Sequence, residues 1–372
     1  MKSRMQFFAL VALLLPGLLQ AWPIDGYPDT GIRRLEEQRL IAAGELKGSG
    51  QPPGGRWPTA AVDIRLTDRP DLGLPPVDEA LSGAVLELLG EKAEFYGIAV
   101  LDITDPNSPA YAEYRGDHRQ NVGSVGKLLG ALGFFQALAD TYPEDIPGRE
   151  KLLRETTITA DRFSHSDHHT IRLFDVETRT LVRRPMEDGD TGNIWEYLDW
   201  TLSVSSNSAA AMTMRDAMML RSLGRDYPLA EAQITPFFDD MSGNKRTALF
   251  QETFWAPVTA NGMSLDQIRQ GSFFTREGKR VVAGGGLSYA SARSLMQFLL
   301  AMEKGELVDE WSSRAMKRLL YMTERRIRYA SSPALRDAAL YFKSGSLYSC
   351  KPEEGFKCGK YKGNRKNYMN SV

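Results

Sequence analysis

The feature that most constrains the fold of this sequence is a continuous apolar stretch from Ser124 to Asp140. Between its two ends, Lys127 and Gln136 are the only polar residues. A helix that is apolar on all sides belongs in the centre of a protein. The chain is 42% hydrophobic and 25% charged, which is ordinary for a globular protein. We therefore predict a globular fold built around a buried helix that begins at Ser124.

Length and charge narrow the class of protein further. The 372 residues suit one large domain or two modest ones. Lys and Arg together number 46 and Asp and Glu 47, which leaves a net charge of −1. A nucleic-acid partner would need a basic face to meet the phosphate backbone. The composition therefore gives no reason to expect nucleic acid as a partner.

The first 21 residues have the pattern of a secretory signal peptide. Lys2 and Arg4 precede the short apolar run Phe7–Leu15, and the small residue Ala21 closes the segment. The run is too short for a comfortable bilayer span, which needs about 20 apolar residues. We predict an exported protein, periplasmic or extracellular, with no stable membrane span once the signal is removed. The alternative is an uncleaved anchor.

The remaining chain divides into a Pro- and Gly-rich extension, residues 22–76, and a larger domain, residues 77–372. Periodic apolar residues predict a helix with one core face at 81–89, and a hairpin is predicted over 98–114. Residues 141–205 are polar, and we expect them to be irregular. Three further helices and a late strand that carries Lys343 are expected at 208–223, 290–304, 310–323 and from 339. Strands at both ends with helices between predict an α+β fold whose antiparallel sheet joins early and late segments.

The two cysteines are eight residues apart, Cys350 and Cys358, with Pro352 and Gly355 forming a turn between them. In an oxidising compartment such a pair favours a disulfide. Two free thiols are the alternative, and no third ligand nearby supports a metal site.

Ser124-Val-Gly-Lys127 places a hydroxyl and an amine one turn apart on the same face of a helix. A serine becomes a nucleophile when a base takes its proton, and a desolvated lysine can be that base. The alternative is a solvated lysine at the start of a helix. Neither the nucleophile elbow nor the phosphate-binding loop fits here, because Val122 and Asn121 stand where those motifs need glycine.

Two more short motifs carry chemistry. Ser205 and Asn207 can together face a cleft, one relaying a proton and the other holding a carbonyl, although helix N-capping explains them equally. Lys343 and Ser344 can bind a carboxylate beside Gly345, which allows close approach of a ligand to a strand. For Lys343 the alternative is a protective lysine on an edge strand.

In this order, Ser-x-x-Lys, Ser-x-Asn and Lys-Ser-Gly resemble the motif triplet of the serine β-lactamases and penicillin-binding proteins, the D,D-peptidases. The resemblance covers roughly residues 77–372 and is closest to the class A β-lactamases. It implies an antiparallel sheet flanked by helices with an all-α subdomain. It also implies an enzyme that acts without a cofactor on a small-molecule or peptidoglycan-type substrate.

The resemblance also assigns catalytic roles. Ser124 would attack a carbonyl to form an acyl-enzyme, and Lys127 would be the base or assist it. Ser205 would pass a proton to the leaving nitrogen. The backbone N–H groups of Ser124 and Ser346 would form the oxyanion hole.

The remaining motif residues would bind the substrate. Asn207 would hold the side-chain amide of the substrate, while Lys343 and Ser344 would meet its carboxylate. Gly345 would keep the strand open to the substrate.

Two departures from the family pattern are visible. Class A β-lactamases carry a Glu-x-x-Leu-Asn motif whose Glu drives water onto the acyl-enzyme. Here Glu231, Glu252 and Glu277 lie between Asn207 and Gly284, and none of them starts that motif. The family closes its sheet with two strands and a helix after the Lys-Ser-Gly strand. Residues 359–372 resemble the approach to one strand, so that either the sequence is a fragment or the fold closes differently.

Three of the four histidines lie close together, His165, His168 and His169, just after Asp161. Imidazole suits zinc, but neighbouring ligands in a polar loop are typical of a solvated surface. We therefore predict no metal site. If the resemblance holds, this insertion lies near the mouth of the cleft.

Two functional hypotheses follow. The first is an exported serine acyl hydrolase that acts on a β-lactam or an acyl-D-Ala-type amide. The second is a non-catalytic relative that binds such a ligand, or a partner protein, through the same cleft.

Overall fold

The computed structural model of the protein describes residues 25–57 and 61–372. The signal peptide predicted for residues 1–21 lies outside this part of the chain. Within the described ranges, no helix combines the length and apolar character that a bilayer crossing requires.

The helices of the described ranges are α1 (Tyr27–Thr30), α2 (Arg33–Ala42), α3 (Glu79–Leu89), α4 (Lys127–Thr141), α5 (Ile146–Glu155), α6 (Ile194–Leu202), α7 (Asn207–Leu223), α8 (Glu231–Asp239), α9 (Gly243–Phe254), α10 (Ala256–Ala260), α11 (Arg276–Val281), α12 (Ala292–Glu303) and α13 (Glu310–Tyr321). The strands are β1 (Ile98–Asp102), β2 (Ala110–Tyr114), β3 (Thr157–Thr159), β4 (Thr170–Asp175), β5 (Thr180–Pro185), β6 (Thr191–Asn193), β7 (Ile268–Arg269), β8 (Tyr289–Ala290), β9 (Ser344–Ser349) and β10 (Lys366–Ser371).

These strands form small antiparallel ladders of two strands each, β1 with β2, β3 with β6, β4 with β5, β7 with β8 and β9 with β10. The predicted α+β class is therefore confirmed. The predicted single sheet between early and late segments is wrong. One side of β9 pairs with β10, and Gly345 of β9 packs closely on the turn at Ser124, where an added Cβ would be 2.0 Å from Val122 O.

The buried core is centred on α4, which packs chiefly against α7. Phe134, Phe135 and Leu138 of α4 are fully buried, so the predicted central helix is confirmed. Its start differs from the prediction, because residues Gly123–Gly126 form a 3-10 turn and α4 begins at Lys127. We refer to Gly123–Gly126 as the serine turn.

The expectation that residues 141–205 are irregular is wrong, because this segment contains α5, α6 and four of the strands. All residues of α6 are buried, including Glu196 and Asp199. These carboxylates pair with Arg33 and Arg34 of α2, far away in sequence. The segment therefore looks polar in isolation although its charges are neutralised inside the fold.

The helix predicted at 81–89 is present as α3, and its predicted core face is covered only in part. Leu81, Val85 and Leu89 are half-buried, whereas Ala84 is exposed and Leu88 is 88% exposed. The helix packs against β2.

Residues 25–57 pack onto the rest of the chain rather than away from it. Ile32 and Leu35 join the main core. The guanidinium of Arg34 is buried and donates to both oxygens of Asp199, at 2.5 Å each, and to Met322 O at 2.8 Å. Its Nε also lies 3.2 Å from Glu324. This buried ion cluster, Arg34 with Asp199 and Glu324, ties α2 to the segment that follows α13.

The late part of the chain forms a long hairpin from β9 and β10. Cys350 and Cys358 form a disulfide in the connection between them, with Cα atoms 5.8 Å apart, as predicted. The strand approach expected in residues 359–372 is β10. Its neighbour Val372 exchanges both backbone hydrogen bonds with Lys343, at 2.9 Å each. Lys343 is therefore fixed immediately before β9 rather than within the strand expected from residue 339.

Candidate active site

Lys127 lies at the centre of the site, at the first position of α4, and its side chain is fully buried. Its Nζ lies 2.9 Å from Ser124 Oγ, 2.8 Å from Ser205 O and 2.7 Å from Asn207 Oδ1. The alternative of a solvated lysine is therefore wrong. The structure brings the first two motifs together around this one amine.

Burial favours the neutral form of Lys127. Burial lowers the pKa of Lys127 to about 7, a shift that the Asp167 carboxylate opposes and the charge of Arg325 increases. A neutral amine has two N–H donors and one lone pair. Ser205 O and Asn207 Oδ1 are acceptors only and take both donors. The lone pair is then left for the hydroxyl hydrogen of Ser124, which is the arrangement a base requires.

Ser205 lies between the two lysines of the motifs. Its Oγ accepts a hydrogen bond from Lys343 Nζ at 2.7 Å and lies 3.4 Å from Lys127 Nζ. Its backbone φ is +63°, an unusual value for a residue with a side chain. Outliers of this kind cost about 1–3 kcal/mol and concentrate at functional sites. In this backbone conformation the hydroxyl lies between the two amines.

Lys343 is 1% exposed, so the alternative of a protective lysine on an edge strand is wrong. Its Nζ also donates to Ser344 O at 3.0 Å. Burial and the charges of Lys127, Arg325 and Arg328 hold the pKa of Lys343 well below its ordinary value. The site thus groups two lysines with two arginines, and this crowding together with burial favours the neutral form of Lys343.

The first residues of β9 lie against the serine turn. An added Cβ on Gly345 would lie 2.9 Å from Ser124 N, and one on Gly123 would lie 2.9 Å from Ser346 N. Glycine at both positions therefore lets the two backbones approach closely. This contact brings Ser124 and Ser346, the predicted oxyanion-hole residues, to the same place in the fold. Ser344 pairs with Ser371 across the hairpin.

The capping alternative for the second motif applies to a different residue. Ser206 is the N-cap of α7, and its Oγ accepts from Ala209 N at 3.1 Å. The side chains of Ser205 and Asn207 on either side are then free to face Lys127. From the sequence, Ser205 and Asn207 could serve either as helix caps or as functional residues. In the structure Ser206 is the cap, and Ser205 and Asn207 face Lys127.

Asp167 is a residue of the site that sequence reasoning missed. Its Oδ2 accepts from Ser206 Oγ at 2.9 Å, Asn207 N at 2.7 Å and Ser208 N at 3.1 Å. Burial alone would favour its neutral acid, but His169, the Ser208 N–H and Lys127 hold the pKa of Asp167 well below its usual range. Asp167 is thus a buried anion that fixes the start of α7. No local pattern indicates this, because its partners are about forty residues away.

The expected solvated surface around the histidines is wrong for part of the cluster. His165 is exposed and pairs with Asp188, but the His169 side chain is only 13% exposed and its Nδ1 lies 2.6 Å from Asp167 Oδ1. Asp161 lies apart from them and pairs with Arg215 instead.

A metal ion would have to compete with existing bonds at this cluster. Asp167, His168 and His169 place one potential ligand atom each within 4.8 Å of one another. However, each oxygen of Asp167 already accepts three hydrogen bonds, and His169 Nδ1 is one of the donors. This donor set does not favour a metal, and the absence of a metal site stays a prediction.

Two arginines from the segment after α13 also reach the site and were not predicted. Arg328 donates to Gly345 O at 3.1 Å and to Ser346 Oγ at 2.8 Å. It also donates to Asn370 O and to Ser371 Oγ, which binds β9 to β10. The charge of Arg325 lowers the pKa of both Lys127 and Lys343. An arginine-rich run after a helix carries no motif that would have indicated this.

Comparisons with known proteins give structural similarity at low sequence identity. No family profile matches the sequence, and no curated protein matches it. Similar solved structures include a β-lactamase from Sphaerobacter thermophilus, 12% identical, covering 73% of this chain and 78% of that chain with a TM-score of 0.42. A β-lactamase from Chitinophaga pinensis is 13% identical over 73% of this chain and 80% of its own, with a TM-score of 0.41. The penicillin-binding protein PBP-A is 13% identical over the same shares, with a TM-score of 0.40. These are proteins of the superfamily whose motifs the sequence resembles.

Proposed function

We propose that the protein is a serine acyl hydrolase that acts through an acyl-enzyme on Ser124, with a β-lactam or an acyl-D-Ala-type amide as its substrate. The observation that supports this most is the 2.9 Å contact between Ser124 Oγ and the buried amine of Lys127. A binding protein has no need of a desolvated base beside a serine. The catalytic domain would comprise residues 77–372.

Acylation would proceed by successive proton transfers among Ser124, Lys127 and Ser205. Lys127 Nζ takes the hydroxyl proton of Ser124 as Oγ forms a bond to the carbonyl carbon. The amide C–N bond then breaks, and the leaving nitrogen takes the hydroxyl proton of Ser205. Ser205 recovers a proton from Lys127, 3.4 Å away, so that both residues return to their starting forms. Such positioned proton transfer contributes about 10²–10⁴-fold in rate.

The remaining residues would position the substrate. Lys343 and Ser344 would bind its carboxylate, and the neighbouring positive charge of Arg325 would add to this attraction. Asn207 would hold the amide of its side chain. The N–H groups of Ser124 and Ser346 would stabilise the oxyanion beside Gly345, where one lost donor costs about 10²–10³-fold in rate.

We also propose that the protein is exported to the periplasm or the extracellular space, where the Cys350–Cys358 disulfide would be stable. There it would take part in β-lactam catabolism or in peptidoglycan metabolism. Its partner would be a small-molecule or peptidoglycan-type substrate, with no cofactor.

Intact-protein mass after incubation with benzylpenicillin tests the proposal. The parent protein is expected to gain the mass of the drug, because β-lactam opening leaves the whole molecule on the serine. Ser124→Ala should gain nothing. Ser349→Ala, at an exposed serine near the end of β9, is the matched control and should behave as the parent.

The absence of an adduct would contradict the proposal. If a folded parent protein forms no adduct with benzylpenicillin or with a reporter thioester, the hydrolase proposal fails. The non-catalytic binding protein then remains, and ligand-induced stabilisation of the fold would measure that binding.

A further inference from the structure

We infer that His169, oriented by Asp167, is the general base that brings water onto the Ser124 acyl-enzyme. This inference rests on the proposed function. It assigns a second proton acceptor to the site, for the hydrolytic half of the reaction.

Hydrolysis of an acyl-enzyme needs a group that removes a proton from water as the water attacks. Of the three glutamates between Asn207 and Gly284, Glu231 and Glu252 are exposed, on α8 and α9, and Glu277 of α11 pairs with Arg280. None of the three hydrogen-bonds to a residue of the site. The base must therefore come from another element. The segment immediately before β4 carries Asp167 and His169, and it borders the site at Asn207.

The hydrogen bonds of Asp167 fix the orientation of the His169 ring. Asp167 is held by the start of α7 and cannot rotate without losing the Asn207 and Ser208 N–H groups. As an ionised carboxylate it can only accept, so Nδ1 of His169, 2.6 Å away, must carry the hydrogen. The lone pair of the neutral ring is then on Nε2. The same hydrogen bond stabilises the imidazolium once a proton has been taken.

The surroundings keep this ring neutral before it acts. Burial lowers the pKa of His169; the Asp167 carboxylate opposes the shift, and the charges of Lys127 and Arg325 add to it. These three groups are the charges that act on His169 from α4, from its own segment and from the segment after α13. His169 is therefore a base near neutral pH. The charge of Lys127 acts on the ring from the other side of the site.

Hydrolysis of the acyl-enzyme begins at His169. His169 Nε2 takes a proton from water as the water oxygen bonds to the acyl carbon. The tetrahedral intermediate collapses, the bond from that carbon to Ser124 Oγ breaks, and the free acid leaves. The imidazolium passes its proton to Lys127, and the ammonium so formed protonates Ser124 Oγ, 2.9 Å away, as that oxygen leaves. His169, Lys127 and Ser124 are then back in their resting forms.

The experiment follows the benzylpenicillin adduct over time in the parent, in His169→Gln and in His168→Gln. Glutamine can still donate to Asp167 but is not a base. His168 stacks on His169 with ring centroids 4.6 Å apart and makes no side-chain bond to Asp167, so it is the matched control. We expect all three proteins to acylate at similar rates. The adduct of His169→Gln should decay about 10²-fold more slowly than that of the parent, and that of His168→Gln should decay as the parent does.

Two further measurements separate catalysis from a structural role. Added imidazole should accelerate decay of the adduct in His169→Gly and leave the parent unaffected. The decay rate of the parent adduct should fall as the pH drops through the pKa of His169, and His169→Gln should lack this acid limb. This pH profile of the parent keeps the inference testable even if a variant fails to fold.

The inference is overturned if the parent adduct forms and His169→Gln loses it at the parent rate, or if the parent adduct persists unchanged at every pH. Absence of any adduct in the parent is a different result, which contradicts the proposed function itself.

Discussion

At Ser205 the backbone and the side chain have separate consequences. The left-handed backbone costs energy for any residue with a Cβ, whereas the hydroxyl is the link between Lys127 and Lys343. Glycine and alanine both remove the hydroxyl, but only glycine adopts this φ without strain. Comparing the two variants therefore separates the cost of the backbone conformation from the contribution of the hydroxyl to catalysis.

We expect Ser205→Gly to be more stable than Ser205→Ala by about 1 kcal/mol. Both variants should acylate about 10²-fold more slowly than the parent. Urea unfolding and adduct formation measure the two effects. Equal stability of the two variants would show that the backbone is unstrained, and a normal rate in either would remove Ser205 from the proton path.

The protonation of Lys127 predicts the pH dependence of acylation. Only the neutral amine can accept the Ser124 proton, and its fraction rises as the pH increases through the lowered pKa of about 7. The rate of adduct formation should therefore rise with pH around 7 and level off above it. Stopped-flow acylation of the parent and of His169→Gln should give the same curve. A rise centred near the ordinary lysine value of 10.5 would show that the amine is not desolvated.

Among the elements, those with local signals were predicted well. The apolar α4, the β1–β2 hairpin and the helices α7, α12 and α13 are near the predicted positions. The sequence analysis did not predict helix α6, whose charges are neutralised by α2. It also did not predict the role of Asp167, whose hydrogen-bond donors lie at the start of α7. Both depend on contacts between distant parts of the chain, which no local period reveals.

The candidate site could likewise be predicted from the sequence only where a local motif marks it. The three motifs supplied Ser124, Lys127, Ser205, Asn207 and Lys343, and the structure brings these together. The roles assigned to them stay predictions. Arg325, Arg328 and Asp167 were not predictable, because charged residues in irregular segments reveal their place only once the fold assembles them.

In the molecule as a whole, the buried ion cluster links α2 to the segment that bears Arg325. Arg34→Met would leave the buried Asp199 without its cation, whereas Glu324 would keep Arg172, 2.8 Å away. Removing one partner of a buried pair costs about 3–5 kcal/mol. We expect a loss of that size in the free energy of unfolding, measured by urea denaturation.

The control lies on the same helix. Arg39 pairs with Glu36 at the surface and is 41% exposed, so Arg39→Ala should cost less than about 1 kcal/mol. The double variant Arg34→Met with Asp199→Leu should recover part of the loss, since it removes the unpaired charge. A cost for Arg34→Met as small as that for Arg39→Ala would mean that the cluster does not hold α2 in place.

The positions of the cluster residues along the chain also determine when the cluster can form during translation. Arg34 leaves the ribosome early, but its partners Asp199 and Met322 follow 165 and 288 residues later. At roughly 5–20 residues per second, the second interval is on the order of tens of seconds. The protein can complete this part of its fold only after Met322 has been translated. A nascent chain that stays open for so long is suited to the export proposed for it.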